Sequence, residues 1–149
     1  MLYLSQLDLR WAADKLGASK LTLARWGCTT TCISMLSDYF GCYRTPKELA
    51  HDASNYNSDG LIIWGNLGFP KMRFTVREHG HHRTNILKAM KEKNSAVILQ
   101  VNNGQHWVVG LRPALIGNDY IVLDPLGGKK VSAKKKYGNV TGAAYFSRR

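Results

Sequence analysis

The chain has 149 residues, with 21 Lys and Arg against 10 Asp and Glu, a formal net charge of +11. Apolar residues make up 44% and aromatic residues 10%. That composition excludes a disordered or low-complexity chain and fits one folded domain with a sizeable core. No apolar run reaches the roughly 18–20 residues of a membrane span.

The opening Met1-Leu2-Tyr3-Leu4-Ser5-Gln6, soon followed by Arg10 and Asp14, lacks the pattern of a secretory signal, so synthesis in the cytoplasm is expected. The positive excess points to an anionic partner: nucleic acid, an acidic wall polymer or a membrane surface. Cys28, Cys32 and Cys42 are an odd set, which with the missing signal favours reduced thiols.

Residues 1–27 mix polar and aromatic positions and read as an ordered arm with one short helix. Residues 28–40 read as a helix, with Cys32, Ile33, Leu36, Tyr39 and Phe40 at helical spacing and Gly41 as its stop. Asp38 is the one charge in this run, so most of its faces are expected to be buried. Thr45-Pro46-Lys47-Glu48 reads as a second helix start, with Thr45 capping and Glu48 three residues on. Residues 53–70 read as irregular around the apolar Leu61-Ile62-Ile63-Trp64. A short basic helix is expected over 84–93, capped by Thr84 or Asn85, with Ile86, Leu87 and Met90 on its apolar face.

Strands follow at 96–101, 106–111 and 120–124, the first two joined by the turn signal Asn102-Asn103-Gly104, the third stopped by Pro125. A last short strand is expected near Gly142–Phe146. Helices first and an antiparallel meander second describe an α+β domain.

Three segments carry chemistry. Trp26-Gly27-Cys28 puts a thiol at a helix start, where the helix dipole favours thiolate, the reactive form. Gly27 is expected to let a substrate backbone pass close to the sulfur. Gly104-Gln105-His106-Trp107 puts an imidazole at a strand mouth, able to serve a thiol as base and a leaving amine as acid. Asp124-Pro125 ends the next strand, and a carboxylate there can fix the imidazole tautomer. His106 and Asp124 are 18 positions apart, a natural hairpin pairing of strand start with strand end. Singly, each feature has a plain structural explanation: a core thiol, a satisfied strand-edge histidine, a strand stop. The order Cys, His, Asp on helix start, strand start and next strand end is far more specific.

With these segments, Leu4-Ser-Gln6-Leu-Asp8-Leu-Arg10-Trp11-Ala12, Thr45-Pro46-Lys-Glu-Leu49 and Tyr120-Ile-Val-Leu-Asp124-Pro125, the chain resembles the papain-like cysteine peptidases. Within them it looks most like the bacterial and phage branch related to the double-glycine peptidases that trim bacteriocin leaders. The resemblance implies a papain-like fold, Cys28 as nucleophile, His106 as general base and acid, and Asp124 as the orienting residue. It also implies Gln6 as an oxyanion donor beside the Cys28 backbone N–H, a role worth about 2.7–4 kcal/mol in comparable sites. Trp26, Gly27, Gln105 and Trp107 are the candidate substrate-binding residues. Thr30-Thr31-Cys32 departs from the small residues common after the family's cysteine. No transporter module accompanies the domain, which speaks against export-coupled leader processing.

No cofactor or metal is expected. Cys28-x-x-x-Cys32 and His79-Gly80-His81-His82 lack the regular second half of a zinc site, and the histidines read as a solvated or pH-sensitive loop. From Lys129 to Arg149 there are seven basic residues and no acid, expected as a basic tail for capturing a polyanion. Aromatics are too sparse among them for a nucleic-acid module. A peptide of bacterial peptidoglycan, cleaved by a phage or bacterial lysin, is therefore the expected substrate. Protein or Gly-Gly leader peptides are the alternative, and a non-catalytic basic binding or virion protein is the reading from another class.

Overall fold

The computed structural model describes residues 1–149. Five short helices accompany one six-stranded antiparallel sheet, an α+β fold: α1 (Leu23–Trp26), α2 (Cys28–Tyr39), α3 (Pro46–His51), β1 (Met72–His79), α4 (Arg83–Lys91), β2 (Ser95–Val101), β3 (His106–Pro113), β4 (Tyr120–Asp124), β5 (Lys129–Ser132), α5 (Ala133–Tyr137) and β6 (Gly142–Arg148). No helix is long and apolar enough to cross a membrane.

The expected meander is present as β2–β3–β4, which the unexpected β5 extends, and the sheet runs β1-β6-β2-β3-β4-β5. The last strand returns to lie between β1 and β2, so the C-terminal segment sits inside the sheet. The basic tail expected from Lys129 onward is therefore folded as β5, α5 and β6. Arg148 donates to Asn94 and to the Phe40 carbonyl, and Arg149 to the Phe69 carbonyl. These guanidiniums tie the chain end down. Lys129 and Lys130 stand exposed on edge strand β5, where lysine discourages pairing with another sheet.

Helices cover both faces of the sheet, which explains the unbroken apolar run of β2. Ala96 and Ile98 face one cluster with Ile33 and Leu36 of α2 and Phe40 at its C-terminal end. Val97, Leu99 and Val101 face a second cluster with Ile86 and Ala89 of α4 and Ala133 of α5. Strand β1 carries a weak sequence signal, because its alternation, Met72, Phe74, Val76, is diluted by arginines and broken by a bulge between Phe74 and Val76.

Helix α2 is buried from Thr30 to Ser37, as its near absence of charge requires. Thr30 bonds the Tyr56 hydroxyl at 2.8 Å and Ser37 donates to the Ser34 carbonyl at 2.6 Å, whereas the buried Thr31 hydroxyl has no partner. Gly41 closes the helix at φ +79°. Thr45 caps α3 by accepting the Glu48 N–H at 3.0 Å. α4 starts at Arg83, one residue earlier than expected, so its N-cap is His82, which makes no side-chain cap bond; Thr84 and Asn85, the expected caps, lie inside the first turn, where Asn85 donates to Glu78 at 2.9 Å.

Gly27 separates α1 from α2. A Cβ built there would stand 2.4 Å from the Leu23 side chain and 2.5 Å from the Leu23 carbonyl oxygen. Crowding against fixed backbone, besides any approach of substrate, demands glycine here. Gly27→Ala should lower stability by about 1–3 kcal/mol in urea unfolding. An unchanged midpoint and slope would show that the junction relaxes freely.

Candidate active site

The register of the sheet brings His106 and Asp124 together. Val109 pairs with Leu123, so Asp124 lies beside Val108, and His106 is the diagonal neighbour on the same face. His106 Nε2 bonds Asp124 Oδ1 at 2.9 Å, which leaves Nδ1 for the thiol side. The turn after β4 adds the Leu126 N–H to the same oxygen at 2.9 Å. α5 closes over the other oxygen: Lys136 Nζ and the Tyr137 hydroxyl both donate to Oδ2 at 2.5 Å. The Tyr137 ring lies 4.8 Å from the imidazole, centroid to centroid.

Asp124 is completely buried. Burial alone would raise its pKa, but bonds from His106, Lys136, Tyr137 and the Leu126 amide hold it well below the usual carboxylate range. Burial likewise opposes charge on His106, yet Asp124 and then Cys28 push the imidazole up to about 9. Burial opposes the Cys28 thiolate, but the His106 cation, the Trp107 amide and Thr29 bring the thiol below its ordinary value. The sulfur stands 3.9 Å from the Thr29 hydroxyl. Cys28 and His106 interact as partners in charge. Cys32, one helical turn on, is a different thiol: burial raises it well above the ordinary value, and its Sγ points at the Trp107 carbonyl at 3.4 Å. All three cysteines are free.

Gln6 is buried at the same place, held by its own backbone. The Gln6 N–H donates to the Pro125 carbonyl at 2.8 Å, next to Asp124. Its side-chain amide does not lie free for an oxyanion. Nε2 donates to the Ala24 carbonyl at 3.0 Å and to the Leu23 carbonyl at 3.4 Å, and Oε1 has no partner. Ala24 is four residues before Cys28, so its carbonyl is the one a continuous helix would use for the Cys28 N–H. Gln6 occupies that acceptor, and the Cys28 N–H makes no backbone hydrogen bond.

Trp26 is half exposed beside Cys28, and Gln105 is exposed on the β2–β3 turn. Trp107 is buried, with Arg77 over its ring at 4.8 Å and Trp64 against it at 5.5 Å. It builds the wall behind the thiol and presents its main chain to Cys28 and Cys32. The histidine loop lies apart: His81 bonds the Tyr120 hydroxyl at 2.6 Å and His82 the His79 carbonyl at 2.8 Å. A surface cleft of about 280 Å³ between α4, β1 and β6 contains none of Cys28, His106 or Asp124.

Two site residues, Lys136 and Tyr137, were hidden in what read as a basic tail. Their one sequence signal is Ser132-Ala-Lys-Lys, a cap before a helical turn: Ser132 accepts the Lys135 N–H at 3.1 Å. Comparison with protein-family models, curated proteins and solved structures returns no match for this chain.

Asp124→Ala should cost about 3–5 kcal/mol in urea unfolding, because it strands a buried cation among groups built around a carboxylate. Tyr137→Phe should cost about 1–2 kcal/mol through loss of one bond to a charged acceptor. The depressed Asp124 contributes stability that is present above the ordinary carboxylate pKa of about 3.9 and lost as pH falls below it. Asp124→Asn should flatten the acid limb of stability against pH; an unchanged limb would assign acid unfolding to other groups.

Proposed function

We propose that this protein is a papain-like cysteine amide hydrolase that cleaves peptide bonds of bacterial peptidoglycan. One observation carries the reading: a thiol at the start of a buried helix faces an imidazole that is held by a buried carboxylate at 2.9 Å. The helix on an antiparallel sheet, and the order Cys28, His106, Asp124, agree with the family the sequence resembles.

The Cys28 thiolate attacks the carbonyl carbon, and the carbonyl π electrons move to oxygen. The free Cys28 N–H and the positive end of α2 stabilise that oxyanion. Gln6 keeps this N–H free by holding Ala24. Its longer bond, to Leu23, is the one that a charged oxygen would replace. The His106 imidazolium gives its proton to the leaving nitrogen, the C–N bond breaks, and a thioester remains. Neutral His106 then takes a proton from water as the hydroxyl attacks the thioester. The C–S bond breaks, and thiolate and imidazolium are restored. Asp124 holds one tautomer and one ring orientation throughout.

The choice of wall peptide rests on charge. The net charge of +11 suits a substrate embedded in anionic polymer, and all ten acidic residues lie at or before Asp124. Protein substrates and Gly-Gly peptides are the competing arms of the same assay.

Cys28→Ala should abolish release of amines from purified walls and the fall in turbidity, by about 1,000-fold or more. Unchanged activity in that variant would overturn the reading, and cleavage of Gly-Gly peptides with walls untouched would replace the substrate. The active form is thiolate with imidazolium, so the rate should fall at alkaline pH as His106 loses its proton at about 9. Asp124→Asn should move that alkaline limb downward, because the neutral amide no longer favours the imidazolium.

A further inference from the structure

The charge arrangement at Asp124 has more members than a thiol–imidazole–carboxylate line requires. Among residues 129–149, Lys136 forms the one ion pair with a carboxylate, and that carboxylate is Asp124. The bond runs to Oδ2, opposite the oxygen that serves His106. With Cys28 ionised and His106 protonated, the cluster holds two negative and two positive groups and is neutral. Without the Lys136 ammonium it carries a net negative charge in a buried place, where charge is poorly tolerated.

We propose that Lys136 is a positioning and charge-balancing residue: by bonding Asp124 Oδ2 it offsets the carboxylate charge, and it thereby sets the acidity of the Cys28 thiol through His106. The inference rests on the reading of Cys28 and His106 as the working pair, and it concerns their ionisation whatever bond they cleave. The geometry also explains why the carboxylate keeps one orientation. Lys136 and Tyr137 hold Oδ2, so Oδ1 alone remains for His106 and the Leu126 amide.

The sign follows from the neighbours. The groups facing Asp124 are His106 from β3, and Lys136 and Tyr137 from α5. Cys28 and Cys32 of α2 lie near enough to feel this cluster's charge, and Lys129 stands across the β4–β5 ladder. Tyr137 stays protonated, since burial and then the adjacent carboxylate push its pKa up. Lys129 is exposed and makes no ion pair with Asp124, whereas the Lys136 side chain, 44% exposed, has its ammonium on the carboxylate. Removal of the Lys136 charge therefore leaves the full carboxylate acting on the pair. The thiolate becomes harder to form and the imidazolium harder to deprotonate, so both ionisations move to higher pH.

The test uses the full chain and no substrate. Alkylation of Cys28 by iodoacetamide, resolved from Cys32 and Cys42 by mass spectrometry, is followed from about pH 4 to about pH 10, since only thiolate reacts. In Lys136→Met and Lys136→Gln the rise of Cys28 reactivity should move up by about one pH unit. Lys136→Arg should restore the wild-type position, and Cys42 should not move in any variant. Lys136→Gln keeps a hydrogen-bond donor, so it separates charge from support and remains readable if the methionine variant does not fold.

An unmoved Cys28 rise in folded Lys136→Gln overturns the inference, as does an equal shift in Lys136→Arg. A shifted rise in a protein that hydrolyses neither walls nor peptides overturns the hydrolase reading alone. Hydrolysis with an unmoved rise overturns this inference alone.

Discussion

A carboxylate shut away from water is tolerated only among donors and opposite charge, and Asp124 is the group around which this molecule is arranged. Its two oxygens take four bonds from three places in the chain: His106 at the start of β3, Leu126 in the following turn, and Lys136 and Tyr137 on α5. Each donor commits a stretch of backbone. The β3–β4 register has to set His106 diagonally from Asp124, and the turn after Pro125 has to aim its amide back. The chain has to make α5 before it returns as β6 to the middle of the sheet. The N-terminal arm joins through the Gln6 N–H on the Pro125 carbonyl.

The second constraint is the break between α1 and α2. One continuous helix would bond the Cys28 N–H to the Ala24 carbonyl and bury the end of the dipole. Gly27 at the junction, squeezed against Leu23, and the Gln6 amide on Ala24 keep the helix start open. The thiol therefore sits on a helix whose positive end is unspent and whose following residues are locked in the core. Burial in α2 fixes the sulfur, and the imidazole opposite favours the charge on the thiol that burial opposes. Cys32 is the control within the same helix. One turn deeper, with no cation facing it, its thiol is pushed the other way.

Much of this was legible in order along the chain. The buried helix at 28, its stop at Gly41, the Thr45 cap and the strands at 96, 106 and 120 all emerge from period, capping residues and turn residues. Those signals are local, decided by atoms within a few positions. Cys28, His106 and Asp124 stood out because each sits at the end of such an element, where side chains leave the regular lattice. Strand β1 was missed where arginines and a bulge broke its alternation. In the basic run after Lys129, charge density looks the same in the sequence whether a lysine only faces solvent or, like Lys136, also reaches a buried carboxylate.

Residue order alone was enough to establish an α+β chain, a thiol at a helix start and an imidazole and carboxylate on neighbouring strands, because propensity, capping and strand pairing act over short distances. It could not place β6 between β1 and β2, set Gln6 on the Ala24 carbonyl or turn Lys136 onto Asp124. Those pairings join residues far apart in the chain and exist because buried polar groups must be matched by whichever segments the completed sheet brings within reach. The folded chain therefore decided which of its many basic residues serve the site and which only face solvent.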